Sequence, residues 1–186
     1  MYTVIAALTV RPSGPGDRPA LDALVGRCSP ATLYRRFHGA GERPARWILA
    51  QLAAPATGRR TFVAVSPGGD VHGTATLAAA GPGVADVAFL VEDAWQRRGV
   101  GRSLFAAMAA EAHRQGLAAV TATVHADNER ALRFLRAVAP GGRFRFAGGA
   151  EVEAAIPLAA GGHASGTTAD TTATDTTRSM TREEAA

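Results

Sequence analysis

"WQRRGVGRSL", residues 95–104, sets three arginines and two glycines between a tryptophan and a leucine. It follows the apolar stretch "VADVAFLV" (84–91) and leads into "VGRSLFAAMAAEAHRQG" (100–116). In that second stretch Leu104, Met108 and Ala112 recur at four-residue spacing with Phe105 beside them, and Gly116 stands as the stop. The pattern is a strand, a short connection and an amphipathic helix. First-turn amides of a helix lack intrahelical partners and carry the positive end of its dipole. Gly99 and Gly101 remove the Cβ atoms that would hold a ligand away from the backbone. A pyrophosphate placed here gains several amide hydrogen bonds and the charges of Arg97, Arg98 and Arg102. The alternative is a glycine turn flanked by solvated arginines. The dinucleotide fingerprint G-x-G-x-x-G is not met, because Leu104 stands where its third glycine belongs.

Helical and strand periods alternate outward from this stretch. "IAALTVRP" reads as a strand, and "DRPALDALVGRC" as a helix with Asp17 as N-cap and Pro19 in its first turn. "SPATLYRRFHG" starts with Ser29 before Pro30 and stops at Gly39, and "ERPARWILAQLA" is a third short helix. "TFVAVS" and "VHGTATLAAA" form a hairpin about "PGGD", with "GVADVAFLVED" as the next strand. After the long helix come a strand ("LAAVTATVHA"), a helix ("NERALRFLRAVA") ended by Pro140, and a closing hairpin ("RFRFAGG", "AEVEAAIPL"). This is α+β with a mixed sheet, not the strict alternation of a doubly wound fold. Residues 159–186 are Thr- and Ala-rich without apolar periodicity and are expected to be a disordered tail behind a single domain, 1–158.

All 20 basic side chains are arginines. The absence of lysine excludes a P-loop, which needs one to reach its phosphates, and any Schiff-base or lysine-nucleophile chemistry. Cys28 is the single cysteine, so no internal disulfide forms, which suits a reducing cytoplasm. No apolar run reaches the ~18–20 residues of a membrane span, and "MYTVIAALTV" lacks the basic start of a signal peptide. Nucleic acid is disfavoured as a partner, since the arginines gather at one loop without interleaved stacking aromatics. The five histidines are scattered without ligand spacing, so no metal is expected.

Gln96-Arg97-Arg98-Gly99-Val100-Gly101 matches the Q/R-x-x-G-x-G/A motif of the GNAT N-acyltransferase superfamily. The resemblance runs across "DVAFLVEDAWQRRGVGRSLFAAMAAEAHRQGLAAVTATVHADNERALRFLRAV" and, with the leading strand and helices, covers roughly residues 3–158. It implies the acyl-CoA N-acyltransferase fold, with acetyl-CoA or a close acyl-CoA as co-substrate and an amine of a protein lysine or small molecule as acceptor, in a monomer or homodimer. It further implies that the CoA pyrophosphate sits on the amides of Arg97, Arg98, Gly99, Val100, Gly101, Arg102 and Ser103. The pantetheine arm would pair like an added strand beside Leu90 and Val91. Asn128 would lie beside pantetheine, and it also reads as a plain N-cap of "ERALRFL".

Transfer to an amine requires a base, because an ammonium of pKa ~10.4 is no nucleophile at neutral pH. Asp86 is the candidate. It stands where protein-acetyltransferase-like relatives often carry a glutamate, and apolar neighbours would raise its pKa. A solvent-exposed strand aspartate is the alternative, and Glu92, Asp93 and His125 are rivals for the role. Many relatives place a tyrosine in the last helix to protonate the leaving thiolate, whereas this chain has Leu135 there with Phe134 adjacent. A non-catalytic acyl-CoA sensor with the same fold therefore stays open beside the enzyme. "CSPATLYRRFHG" is similar to segments of GNAT domains related to bacterial protein lysine acetyltransferases. Either Leu33, Tyr34 and Phe37 pack it on the core, or its arginines and His38 line the acceptor side. Cys28 reads as a helix-end core residue rather than a nucleophile.

Overall fold

The computed structural model describes residues 8–37, 46–54 and 56–158. The expected start of the first strand, His38, Gly39 and the tail lie outside them. In chain order the elements are β1 (Thr9–Pro12), α1 (Arg18–Arg27), α2 (Pro30–Phe37), α3 (Arg46–Ala53), β2 (Arg59–Val65), β3 (Val71–Gly81) and β4 (Val84–Val91). Then follow α4 (Val100–Arg114), β5 (Ala119–His125), α5 (Glu129–Val138), β6 (Arg143–Gly148) and β7 (Glu151–Pro157). The strands form one seven-stranded sheet in the order β1-β2-β3-β4-β5-β7-β6. Neighbours are antiparallel except β4 with β5, which are parallel because α4 carries the chain back between them.

Strand alternation divides the core between the two faces of the sheet. On one face Leu104, Met108 and Ala112 of α4 and Leu132 and Leu135 of α5 pack against Ala85, Val87, Val120, Ala122 and Val152. On the other, Leu21, Leu24, Leu33, Leu49 and Leu52 of α1–α3 cover Val63, Val71 and Leu90. Asp86 is even-numbered like Leu90, so it belongs to the α1–α3 face.

Two local expectations need correction. Asp17 occupies the residue before α1 but caps no amide of that helix. Its carboxylate instead accepts from the Gly14 amide (2.8 Å) and pairs with Arg11 (2.6 Å), closing the turn that enters α1. Tyr34 is no core residue, being 52% exposed, while Leu33 is buried and Phe37 partly so. Leu33 and Phe37 are four apart and share a helix face, and Tyr34 lies a quarter-turn away. Cys28 does end α1 in the core, and burial, with the nearby charges of Asp93 and Glu92, pushes its thiol up to about 12.

Carboxylates tie the first helices to the connection after β4. Glu92, 7% exposed, accepts from Arg27 Nε at 2.9 Å and lies 2.9 Å from His72 Nδ1. Burial pushes its carboxyl up, but the bonds from His72 and Arg27 outweigh this and hold it below its ordinary value. Asp93 accepts from the Ser29 amide (2.8 Å) and hydroxyl (2.9 Å) and from Thr32 Oγ1 (2.8 Å). Those bonds likewise outweigh burial and keep it low, and at Asp17 the bond from Arg11 does the same. A carboxyl whose folded pKa is lowered takes up protons more readily in the unfolded chain. Its stabilisation is therefore complete above the ordinary values, 4.5 for Glu and 3.8 for Asp, and is lost as pH falls through and below them. Calorimetric scans should show a flat thermal midpoint from pH 7 to about 5 and a steep fall towards pH 3.

Candidate active site

β4 and β5 are joined by three rungs, Val84–Ala119, Ala85–Val120 and Asp86–Thr121, and then part. From Val87 to Val91 the β5 side of β4 has no strand partner among the described residues. The opening leads to a cavity of about 480 Å³ lined by Phe89, Leu90 and Val91 of β4, Thr32, Arg35 and Arg36 of α2, and Asn128, Arg130, Ala131, Arg133 and Phe134 around α5. Gln96, Arg97 and Gly101 also line it, so that among the described residues five arginines and no carboxylate face the cavity.

The start of α4 faces this cavity. The first intrahelical bond runs from the Ser103 amide to the Gly99 carbonyl (3.0 Å), so the amides of Val100, Gly101 and Arg102 have no helical partner. Gly99 holds φ +85°, which L side chains rarely adopt, and a Cβ on Gly101 would lie 3.3 Å from the Phe134 ring. Arg97 also stands at positive φ, 60°, an uncommon conformation for a residue with a Cβ. Gln96 spans the mouth: its Nε2 donates to the Val91 carbonyl (3.0 Å), and its Oε1 accepts from Arg130.

The expected phosphate-loop residues thus separate by role. Arg97 and Gly101 reach the cavity, as do Leu90, Val91 and Asn128. Arg98 lies over the Trp95 ring at 5.7 Å, with Trp95 itself stacked on His72 at 4.1 Å. Arg102 and Ser103 are exposed, and the Val100 side chain is buried in the core. Asn128 Oδ1 accepts from the Ala131 amide (3.2 Å), so it caps α5 while lining the cavity. Sequence reading missed Thr32, Arg130, Arg133 and the Phe89–Phe134 floor, whose rings meet edge-on at 5.6 Å. The spacing of Arg130 and Arg133 behind a capping asparagine was the available signal. Phe134, and not Leu135, faces the cavity, so no hydroxyl stands at that position.

Asp86 sits on the last rung before the strands part. Its carboxylate accepts from Thr121 Oγ1 (3.3 Å). Asp86 is an exposed residue, as the alternative reading had it, yet partial burial of its carboxyl raises its pKa. The bonds from Thr121 and the Val87 amide and the charge of Arg36 oppose this in part, and Glu153 adds to it. Of the rivals, Glu92 and Asp93 are committed to the bonds that brace α1 and α2. His125, at the end of β5, has Nδ1 2.9 Å from Asp127 Oδ1 and meets Tyr34 edge-on at 6.3 Å. These two line a further cavity of about 340 Å³ with Arg35, Glu151 and the glycines of the β6–β7 turn. Thr121, Thr123 and His125 alternate onto the same face as Asp86. Among the described residues no group of His, Cys, Asp and Glu is placed to hold a metal ion, and no helix is long and apolar enough to cross a membrane.

Residues 30–138, more than half of the chain, match the acetyltransferase (GNAT) family. This chain belongs to that family. The GNAT domain of the PAT protein of S. lividans superposes with a TM-score of 0.74 at 23% identity, over 85% of this chain and 100% of that one. A GCN5-related N-acetyltransferase from Kribbella flavida gives 0.63 at 27% identity, over 82% and 98% of the two chains. The PaiA N-acetyltransferase of Thermoplasma acidophilum, in complex with coenzyme A, gives 0.67 at 13% identity, over 81% and 99%. No curated protein sequence matches. The GNAT fold of this chain is thus the mixed, mostly antiparallel sheet described above, flanked by helices.

Proposed function

We propose that this GNAT protein is an N-acyltransferase that moves an acyl group from an acyl-CoA, acetyl-CoA being the simplest, directly to an amine. The observation that carries the reading is the parting of β4 from β5 beside a carboxylate-free, arginine-lined cavity that ends at an open helix N-terminus. Pyrophosphate fits the free amides of Val100, Gly101 and Arg102 with Arg97, and Arg130 and Arg133 add charge for the remaining phosphate. The unpaired edge of β4 offers backbone groups to the pantetheine amides. From Leu90 back to Asp86 is ~13 Å at ~3.3 Å per residue, which brings the thioester end of an extended arm towards the carboxylate.

Asp86 then removes the proton from the acceptor's ammonium. The free amine attacks the thioester carbonyl, the N–C bond forms as the C–S bond breaks, coenzyme A leaves as a thiolate, and the second proton on the acylated nitrogen passes to solvent. With Phe134 in place of a proton donor the thiolate departs unassisted, which its pKa of ~8.5 allows. The acceptor enters beside Tyr34 and His125. Phe134 also keeps the sensor reading in play, and one experiment decides between them. Calorimetric titration with acetyl-CoA should show one site per chain, and mass spectrometry of an amine and protein panel should then show acylated product. Tight binding with no product from any amine would make the protein a sensor, and absence of binding would remove both readings.

A further inference from the structure

Arg36 sits in the wall of the cavity without an anion. The residue as a whole is half-buried, but its Nε is closed off from water and has no hydrogen-bond partner. Among the described residues no carboxylate lies within ion-pair distance of it. Arg27, whose side chain is partly buried near this region, has Glu92 at 2.9 Å, and Arg59, whose Nε is likewise closed off, donates through Nη1 to Gln51 Oε1 at 2.9 Å. Nor is Arg36 free to swing out. α2 is pinned at its start by Asp93 through Ser29 and Thr32, Leu33 anchors it in the core, and the guanidinium lies 4.8 Å from the Phe37 ring centroid. Burial pulls the guanidinium down to about 10, opposed only by the charge of Asp86. A charge withdrawn from water without a counter-ion is costly, and a bound ligand that brings the anion removes the cost.

The position of Arg36 says which part of the ligand that is. It shares the cavity wall with Phe89, Leu90 and Val91. Thr32, one turn earlier on α2, accepts from Gln96 Nε2 (3.3 Å) at the α4 end, so Arg36 lies a turn farther from that end, where the charge of Asp86 acts on it. The phosphates of a coenzyme belong at the other end, on α4. What reaches the Asp86 end is the acyl group, and an acetyl group is neutral. We propose that Arg36 recognises an acyl chain ending in a carboxylate, so that the preferred donor is the coenzyme A thioester of a short dicarboxylic acid. This rests on the acyl-CoA reading above and narrows its donor. The planar fork of an arginine suits a carboxylate bidentately. The acceptor's ammonium, arriving at Asp86, balances the second carboxylate in the site.

The full-length protein titrated calorimetrically with coenzyme A, acetyl-CoA and succinyl-CoA tests this. Succinyl-CoA should bind at least ~10-fold tighter than acetyl-CoA, as a charge-assisted pair in a partly dry site provides. Arg36→Gln should bring the ratio of succinyl-CoA to acetyl-CoA affinity down to about 1, whatever it does to the affinity the two thioesters share. Arg36→Lys, which keeps the charge but loses the fork, should retain part of the preference. Equal affinities in the wild-type protein would overturn the proposal without recourse to any variant, and so would a preference that survives in Arg36→Gln. A fall in turnover with acetyl-CoA alone would assign Arg36 to the reacting carbonyl instead and overturn it too. Failure of plain coenzyme A to bind would be the separate failure of the acyl-CoA reading.

Discussion

Asp86→Asn is expected to leave acetyl-CoA affinity unchanged and to lower turnover by ~10²–10⁴-fold, the usual contribution of a general base. The amide keeps the shape of the side chain and can still meet Thr121 Oγ1, so neither the last rung between β4 and β5 nor the cavity beyond it changes. What disappears is a proton acceptor at the apex of the opening. The pH profile gives an independent readout. Burial raises the Asp86 carboxyl above its ordinary 3.8, and a base works only when deprotonated. Wild-type turnover should therefore fall on the acid side through an ionisation displaced upward from that value, and the residual activity of the variant should lack this limb. Full activity in Asp86→Asn would transfer proton removal to His125 or to solvent, because Glu92 and Asp93 are committed to Arg27, His72, Ser29 and Thr32.

Gly101→Asp is expected to abolish coenzyme A binding, by ~100-fold or more in affinity. Two effects add. A Cβ at this position would lie 3.3 Å from Phe134 Cε2 and 3.5 Å from Cζ, so the ring that floors the cavity must yield. The carboxylate then places a negative charge where the helix N-terminus favours an anion, opposing the pyrophosphate. Gly101→Ala separates the two, since it carries the crowding alone and should cost distinctly less. Isothermal titration of both variants, with circular dichroism to establish that α4 is intact, makes the measurement. Unchanged affinity in Gly101→Asp would mean that coenzyme A does not use this helix start.

Much of this architecture was legible because it depends on neighbours only a few residues apart. The strand–loop–helix of 84–116, the four-residue stripe of α4, the hairpin about 66–70, the Ser29 and Asn128 caps and the closing hairpin are all periodicity, turn chemistry or capping. Ser29 Oγ does accept from the Thr32 amide at 3.2 Å, and Asn128 from Ala131. Local signals misled where a distant partner outbid a near one. Asp17 looked like a cap for α1 and instead answers Arg11 across the turn. Tyr34 looked like core, but a helix of eight residues anchored by Leu33 and Phe37 turns it towards His125 on β5.

The sequence by itself determined the order and kind of the elements and the glycine-bearing loop at 96–103 that opens α4, because helix amides and glycines act through the backbone at their own position. Only the tertiary structure decided that β4 and β5 part after Asp86, that Glu92 is spent on Arg27 and His72, and that Arg36, fifty residues before Asp86, stands in the same cavity wall as β4. Those outcomes depend on which faces meet and how much water each contact excludes. Burial and Coulomb interaction are properties of distance in space, and neither alternation nor spacing along the chain encodes them.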